Sequence, residues 1–339
     1  FDLSGKPMGD LPLPGIGSVG GFRGDLDSKE TFFSYSSFNR PTTIYRYDLT
    51  SGAVTPWAEP KLAFNPDDYK VEQRFFASKD GTKVPMFIVR KKSVAAEGKP
   101  VPTLLYGYGG FNVSMTPAFS PTRLAWVDKG GVLAIANLRG GGEYGKAWHD
   151  AGRLANKQNV FDDFIAAGEY LIAQGISGKG QVAIEGGSNG GLLVGAVINQ
   201  RPDLFAAAVP AVGVMDMLRY QLFTAGKYWT AEYGSSEMSK KDVQNLLKFS
   251  PIHNIRKGQV YPAVMVTTAD HDDRVVPAHS FKYASTLQER ASHKKPLLIR
   301  IETKSGHGSS NLSKAIEETS DVYAFLFKSM DFKPRVKGS

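Results

Sequence analysis

Five residues, Gly186-Gly187-Ser188-Asn189-Gly190, have the types and spacing of a serine nucleophile set on a tight turn. They follow a short β-branched run, Gln181-Val182-Ala183-Ile184-Glu185, and lead into the apolar stretch Leu192–Ile198. Strand, turn and helix with Ser at the turn is the Gly-x-Ser-x-Gly elbow, which exposes a hydroxyl above a sheet. The neighbours must lack side-chain bulk, which is the reason for Gly186 and Gly190. The helix that opens after Ser188 points free N–H groups and its positive end at the place where an oxyanion would form. A Gly-rich loop with an incidental Ser has the same five letters; the flanking strand and helix argue against it.

A serine hydroxyl needs a base, and usually a carboxylate behind the base. Six His are available, at 149, 253, 271, 279, 293 and 307. The order Ser, acid, His along the chain restricts the base to the last four. His307 lies in Ser305-Gly306-His307-Gly308, directly after the alternating run 297–302, and its glycines leave backbone freedom and room beside it. His293 falls in a Lys-rich turn and His279 in the first turn of a helix opened by Pro277, so both are expected to be solvated. The base is expected to be His307. The acid is expected in Ala269-Asp270-His271-Asp272-Asp273-Arg274, after the apolar run 263–267; spacing does not choose among its three Asp.

Three stretches together, Gly187-Ser188-Asn189-Gly190-Gly191-Leu192-Leu193, 270–277 and 305–308, resemble the prolyl oligopeptidase family of serine peptidases. The resemblance runs over essentially the whole chain. It implies Asp272 as the acid and Arg274 as the residue that hydrogen-bonds a peptide carbonyl of the substrate. In Tyr106-Gly107-Tyr108-Gly109-Gly110-Phe111 it assigns one oxyanion donor to the Tyr108 hydroxyl; the elbow motif itself supplies the other, the backbone N–H of Asn189. Trp229 and Tyr233 lie four apart and would share one face of a helix. The resemblance places them with Phe111, Val214 and Val275 around the residue before the scissile bond, the indole flat on a proline ring. Without it, Tyr108 and these aromatics would read as ordinary core residues. The implied activity is cleavage after proline in short peptides. A carboxylesterase of the same fold is the alternative enzyme, and a binding module that kept the fold without chemistry the alternative class.

The elements that must hold these residues are legible in outline. Candidate strands at 103–108, 132–137, 181–185, 206–212, 263–268 and 297–302 alternate with helical stretches at 161–174, 190–200, 278–290 and 312–330, which implies a mostly parallel sheet covered on both faces; the elbow and the resemblance make the expected fold an α/β-hydrolase. Asp162 and Asp163 are expected in the first turn of the 161–174 helix, where its dipole favours them. Two alternating runs, 69–78 and 83–89, flank an Asp80-Gly81 turn and are expected to form an antiparallel hairpin at the edge of that sheet. Residues 1–59 differ. Their β-rich runs 31–38, 43–49 and 53–57 are separated by turns and suggest blade strands of a β-propeller. An open edge carrying Phe32, Phe33, Tyr35 and Phe38 is expected there. In the resembled family a complete propeller precedes the hydrolase unit and covers its active site. We therefore expect 1–59 to be the last blade strands, 60–339 to be the catalytic unit, and an N-terminal propeller portion, separate or missing, to be a partner.

Composition limits the remaining possibilities. A chain of 339 residues, 42% hydrophobic, suits about two domains and a large core. Zero Cys excludes disulfides and thiol catalysis, and no metal-ligand spacing is present, so neither cofactor nor metal is expected. No apolar run is long enough to span a membrane. Phe1 is not an initiator Met, and we expect a fragment or processed product, cytoplasmic with the periplasm left open. The net charge of +8 is scattered, without a basic stripe interleaved by aromatics, so a solvated surface or an acidic partner is expected rather than nucleic acid.

Overall fold

In the computed structural model, which describes residues 1–308 and 311–335, the apolar runs form two sheets. Residues 309–310 and 336–339 of the expected 60–339 unit lie outside the described residues. The strands are β1 Ser18–Arg23, β2 Glu30–Ser37, β3 Arg40–Asp48, β4 Val54–Ala58, β5 Tyr69–Ala77, β6 Lys83–Lys91, β7 Thr103–Tyr106, β8 Val132–Ala136, β9 Val182–Gly187, β10 Ala207–Ala211, β11 Ala263–Ala269 and β12 Leu297–Glu302. The helices are α1 Lys92–Glu97, α2 Pro121–Asp128, α3 Gly145–Asp150, α4 Gln158–Ala173, α5 Asn189–Gln200, α6 Thr230–Tyr233, α7 Lys240–Phe249, α8 Ala278–Arg290 and α9 Leu312–Ser329.

The larger sheet has the order β12-β11-β10-β9-β7-β8-β6-β5. Its strands from β7 to β12 are all parallel, and the β5–β6 hairpin closes one edge antiparallel, as the Asp-Gly turn requires. Period-two alternation sends neighbouring side chains to opposite faces. Ile88, Leu105 and Ile184 join the core under α4, α5 and α8, while Phe87, Leu104 and Ala183 join the one under α2 and α9. The α5 sequence is apolar all round and buried along nearly its whole length, as a helix between the sheet and further chain must be. The parallel order puts the carboxyl ends of β9, β10, β11 and β12 on one edge, so the loops after them meet there.

The smaller sheet is a meander, β1-β2-β3-β4. Its centre is a ring stack of Phe22 on Phe33 and Phe33 on Tyr45, with centroids 5.0 and 5.3 Å apart. Two expectations are corrected here. The expected open edge does not form: β2 is an interior strand because the glycine-containing run 18–23 pairs with it as β1, Phe33 and Tyr35 are buried, and Phe38, just after β2, is buried against Phe87. Nor are Asp162 and Asp163 in the first turn of α4, where a dipole would favour them. The α4 helix starts three residues earlier than expected, and Asp163 is buried against the Arg139 guanidinium, which also bridges to Asp80 at the β5–β6 turn. That ion pair fixes the segment after β8 against α4 and the hairpin.

Candidate active site

Ser188 stands between β9 and α5 at φ 59°, ψ −115°, a region that non-glycine residues rarely occupy. The turn is held from both sides: the Ser188 N–H donates to the Ala211 carbonyl at 2.9 Å, and its carbonyl accepts from the N–H groups of Gly191 and Leu192. The strand and helix approach so closely here that a Cβ on Gly186 would lie 2.4 Å from the Gly190 carbonyl oxygen. Both glycines are therefore steric requirements, as the motif implied.

Asp272 is on the loop after β11 and His307 on the loop after β12. The Asp272 Oδ2 lies 2.7 Å from His307 Nδ1. A carboxylate only accepts, so Nδ1 carries the proton and Nε2 is left for exchange. The Asp272 Oδ1 accepts from the backbone N–H groups of Arg274 and Val275 at 3.0 and 2.9 Å, and its side chain is wholly buried. Of the three Asp, Asp272 is the one that meets His307 among the described residues. Asp270 instead pairs with His271 and accepts from the Ser305 N–H, which holds its carboxyl below the usual range, and Asp273 is exposed. His293 is exposed as expected, but His279 is not solvated. It is 1% exposed, its Nδ1 accepts the Asp216 N–H, and burial pulls it down to about 4. Pro277 caps α8, whose first turn buries His279 and Ser280.

Beside Ser188 is a pocket of about 310 Å³ lined by Tyr108, Phe111, Ser188, Val214, Trp229, Tyr233 and Arg274. Phe111 packs edge-on against Tyr233, and Trp229 stacks on Tyr220 at 6.2 Å and 8°. Trp229 and Tyr233 do not lie on one continuous helix. Trp229 ends a 3-10 turn and Tyr233 ends the single turn of α6. Val275 is not among the lining residues; it is buried, and its N–H serves Asp272. Burial, the largest cause, pushes the Tyr108 phenol up to about 12, so it stays a neutral donor, and among the described residues its hydroxyl makes no hydrogen bond. The Asn189 N–H is the first of α5 and has no partner within the helix.

Sequence reasoning missed the polar layer beneath this pocket. The Asn189 side chain, not only its N–H, is engaged: Nδ2 donates to the Tyr108 carbonyl at 2.6 Å and Oδ1 accepts from the Tyr233 hydroxyl at 2.8 Å. Glu232, between the pocket aromatics, accepts from the Phe111 N–H at 2.8 Å and pairs with His149 Nε2 at 2.7 Å. Lys157 is buried in the same layer. A charged residue inside an aromatic run, as Glu232 is, was the one signal available. Among the described residues no cluster of His, Asp or Glu could hold a metal ion, and no helix is long and apolar enough to cross a membrane.

Sheet order, strand–turn–helix serine and the Asp–His pair on the next loops define an α/β-hydrolase with the parts of a serine hydrolase. Residues 117–333 match the model of the prolyl oligopeptidase family, and residues 1–60 match that of the prolyl oligopeptidase N-terminal beta-propeller domain. The chain belongs to the prolyl oligopeptidase family. It is 49% identical over 334 residues to a prolyl endopeptidase of Elizabethkingia miricola, covering 98% of this chain and 47% of that one. A solved structure from a study of two prolyl endopeptidases superposes with a TM-score of 0.92 at 58% identity, over 100% of this chain and 48% of that one. Prolyl oligopeptidase B from Galerina marginata, bound to a 35mer hydrolysis and macrocyclization substrate, gives 0.87 at 38%, over 94% and 46%. The chain spans about half the length of the relatives it matches.

Proposed function

We propose that this chain is the catalytic part of a serine endopeptidase that cleaves on the carboxyl side of proline in short peptides. Ser188 attacks the carbonyl carbon, and His307 takes its proton through Nε2 and returns it to the leaving amine. Asp272 holds the imidazole in the tautomer this needs. The oxyanion is received by the Tyr108 hydroxyl and the Asn189 N–H. Trp229, with one indole face against Tyr220, offers the other to the proline ring; Phe111, Val214 and Tyr233 form the remaining walls. Arg274 is at the mouth, where it reaches a substrate carbonyl. Val275 acts through Asp272 rather than as a wall. One observation carries the reading: the 2.7 Å Asp272–His307 pair and an aromatic pocket of about 310 Å³ that has Ser188 in its lining.

The division into last propeller strands at 1–59 and a catalytic unit at 60–339 belongs to the same proposal. It is supported by the change of sheet between β4 and β5 and by the family match over 1–60. So does an N-terminal propeller portion as partner, supported by the two unpaired edges of the small sheet. The experiment is a comparison of chromogenic Gly-Pro and Gly-Ala amides and a short-chain ester, with fluorophosphonate labelling of Ser188. Labelling together with hydrolysis of the proline amide is expected. Labelling with ester hydrolysis alone would replace the peptidase by a carboxylesterase, and no labelling would remove the hydrolase.

A further inference from the structure

The proposed reaction makes no use of the lysine buried beneath the pocket. Lys157 immediately precedes α4 and is 1% exposed. Its Nζ donates to the Gly109 carbonyl at 2.9 Å and to Asn189 Oδ1 at 3.0 Å, and lies 5.5 Å from the centre of the Tyr233 ring. Among the described residues no carboxylate pairs with it; Glu232 acts on it only from a distance and is already engaged by His149 and the Phe111 N–H. An ammonium buried with neutral acceptors alone is costly, and a methionine of similar length would fill the same slot without that cost. Stability therefore does not account for it.

Its partners suggest what does. The Asn189 carboxamide, one residue from Ser188, bonds three segments at once: Lys157, the Tyr108 carbonyl and the Tyr233 hydroxyl. Lys157 holds the carbonyl of Gly109 and Asn189 that of Tyr108, so two successive peptide groups of the loop bearing the Tyr108 phenol are anchored from below. Gly109 permits this because it sits at φ +65°, where a Cβ would meet Val160 at 2.3 Å. A hydrogen bond from a charged donor is roughly twice as strong as a neutral one.

We propose that Lys157 is a positioning residue, whose ammonium fixes the Asn189 carboxamide and the Gly109 carbonyl and thereby aligns the Tyr108 hydroxyl and the Asn189 N–H with the oxyanion, in register with the Tyr233 wall of the pocket. This rests on the reading in which Ser188 is the nucleophile. Burial draws the ammonium down to about 8 while Glu232 opposes it. The other groups facing the hub are Tyr108 and Tyr233, both pushed up by burial, and His149 behind Glu232. Both phenols stay neutral as the lysine loses its charge on the alkaline side.

The test compares the full chain with Lys157→Met on a chromogenic proline amide from pH 6 to 10, with thermal melts to monitor folding. In Lys157→Met, kcat is expected to fall about 10–100-fold, less than the loss of a whole oxyanion donor, with KM moving less than about threefold. The alkaline decline of wild-type kcat through about pH 8 is expected to vanish in the variant. Tyr233→Phe removes the neighbouring hydrogen bond to Asn189 Oδ1, so its effect on kcat is expected to differ between the wild-type and Lys157→Met backgrounds. A folded Lys157→Met with wild-type kcat, or strict additivity with Tyr233→Phe, overturns the proposal. Should Lys157→Met not fold, a wild-type kcat that is flat from pH 7.5 to 9.5 overturns it instead. Wild-type protein that neither takes a fluorophosphonate nor cleaves the amide would overturn the hydrolytic reading itself, which these variants leave distinguishable.

Discussion

Ser188 occupies a backbone conformation that costs on the order of 1–3 kcal/mol and persists only because its surroundings over-determine it. Here three backbone hydrogen bonds and the close approach of Gly186 to Gly190 impose it. Strain of this kind at Ser188 accords with its proposed role as the nucleophile. Ser188→Ala is expected to lower kcat on the order of 10⁶-fold with the fold intact, because triad members act as a unit. Asp272→Asn is expected to cost on the order of 10⁴-fold, by releasing the wrong imidazole tautomer. Asp270→Asn and Asp273→Asn are expected to cost least, as surface changes. Steady-state kinetics on the folded variants checks the order; equal damage from Asp270→Asn and Asp272→Asn would mean the acid is misassigned. The proposed nucleophile and base could be picked out from local glycine patterns. The acid could not, since what separates Asp272 from its neighbours is burial and a partner 35 residues away. Lys157, Glu232 and His149 were illegible for the same reason: each is defined by contacts made across the fold.

At the scale of elements, the six strands and four helices expected between residue 103 and the C-terminal helix all form, with ends displaced by up to three residues. Long periodic segments specify themselves. Among the elements that escaped notice, α7 is polar overall and buries only Leu246 and Phe249, and β1 has two consecutive glycines and is mostly exposed. The pocket wall shows a subtler failure. Four-residue spacing implied one helix face for Trp229 and Tyr233, whereas a 3-10 turn followed by α6 brings both rings to the pocket by separate routes. Tyr220 backs both of them, stacked on Trp229 and edge-on to Tyr233. The indole is thus held rigidly at little further entropic cost on binding. Trp229→Ala is expected to raise KM for a proline substrate and to lower kcat/KM tenfold or more, since stacking contributes ~0.5–1.5 kcal/mol beyond buried area. Labelling of Ser188 by a small fluorophosphonate is expected to change little. If the mutant keeps the full preference for Pro over Ala, Trp229 is not part of the proline site.

The molecule as a whole poses a question of edges. The small sheet buries Phe33 and Tyr35, yet among the described residues β1 and β4 each leave one side unpaired, with Trp57 66% exposed on β4. Unpaired strand edges template further pairing, and a propeller protects them only when its blades complete a circle. The sheet is also tied to the hydrolase unit: Phe38 packs on Phe87 at 5.3 Å, Ser18 bonds to the Pro117 carbonyl and the Asn39 amide to that of Pro66. A partner on these edges would therefore be held directly over the unit that carries the pocket. The chain covers 47% and 48% of two of its relatives. We expect the 339 residues to act together with an N-terminal propeller portion. Made alone, the chain is expected to associate through its open edges or to cleave peptides poorly. Adding the propeller portion of a relative is expected to yield a defined complex with restored peptide cleavage. Size-exclusion chromatography with light scattering, run beside an assay on a proline-containing peptide, measures both. A monodisperse monomer of about 37 kDa that melts cooperatively and has full peptidase activity would sink the idea.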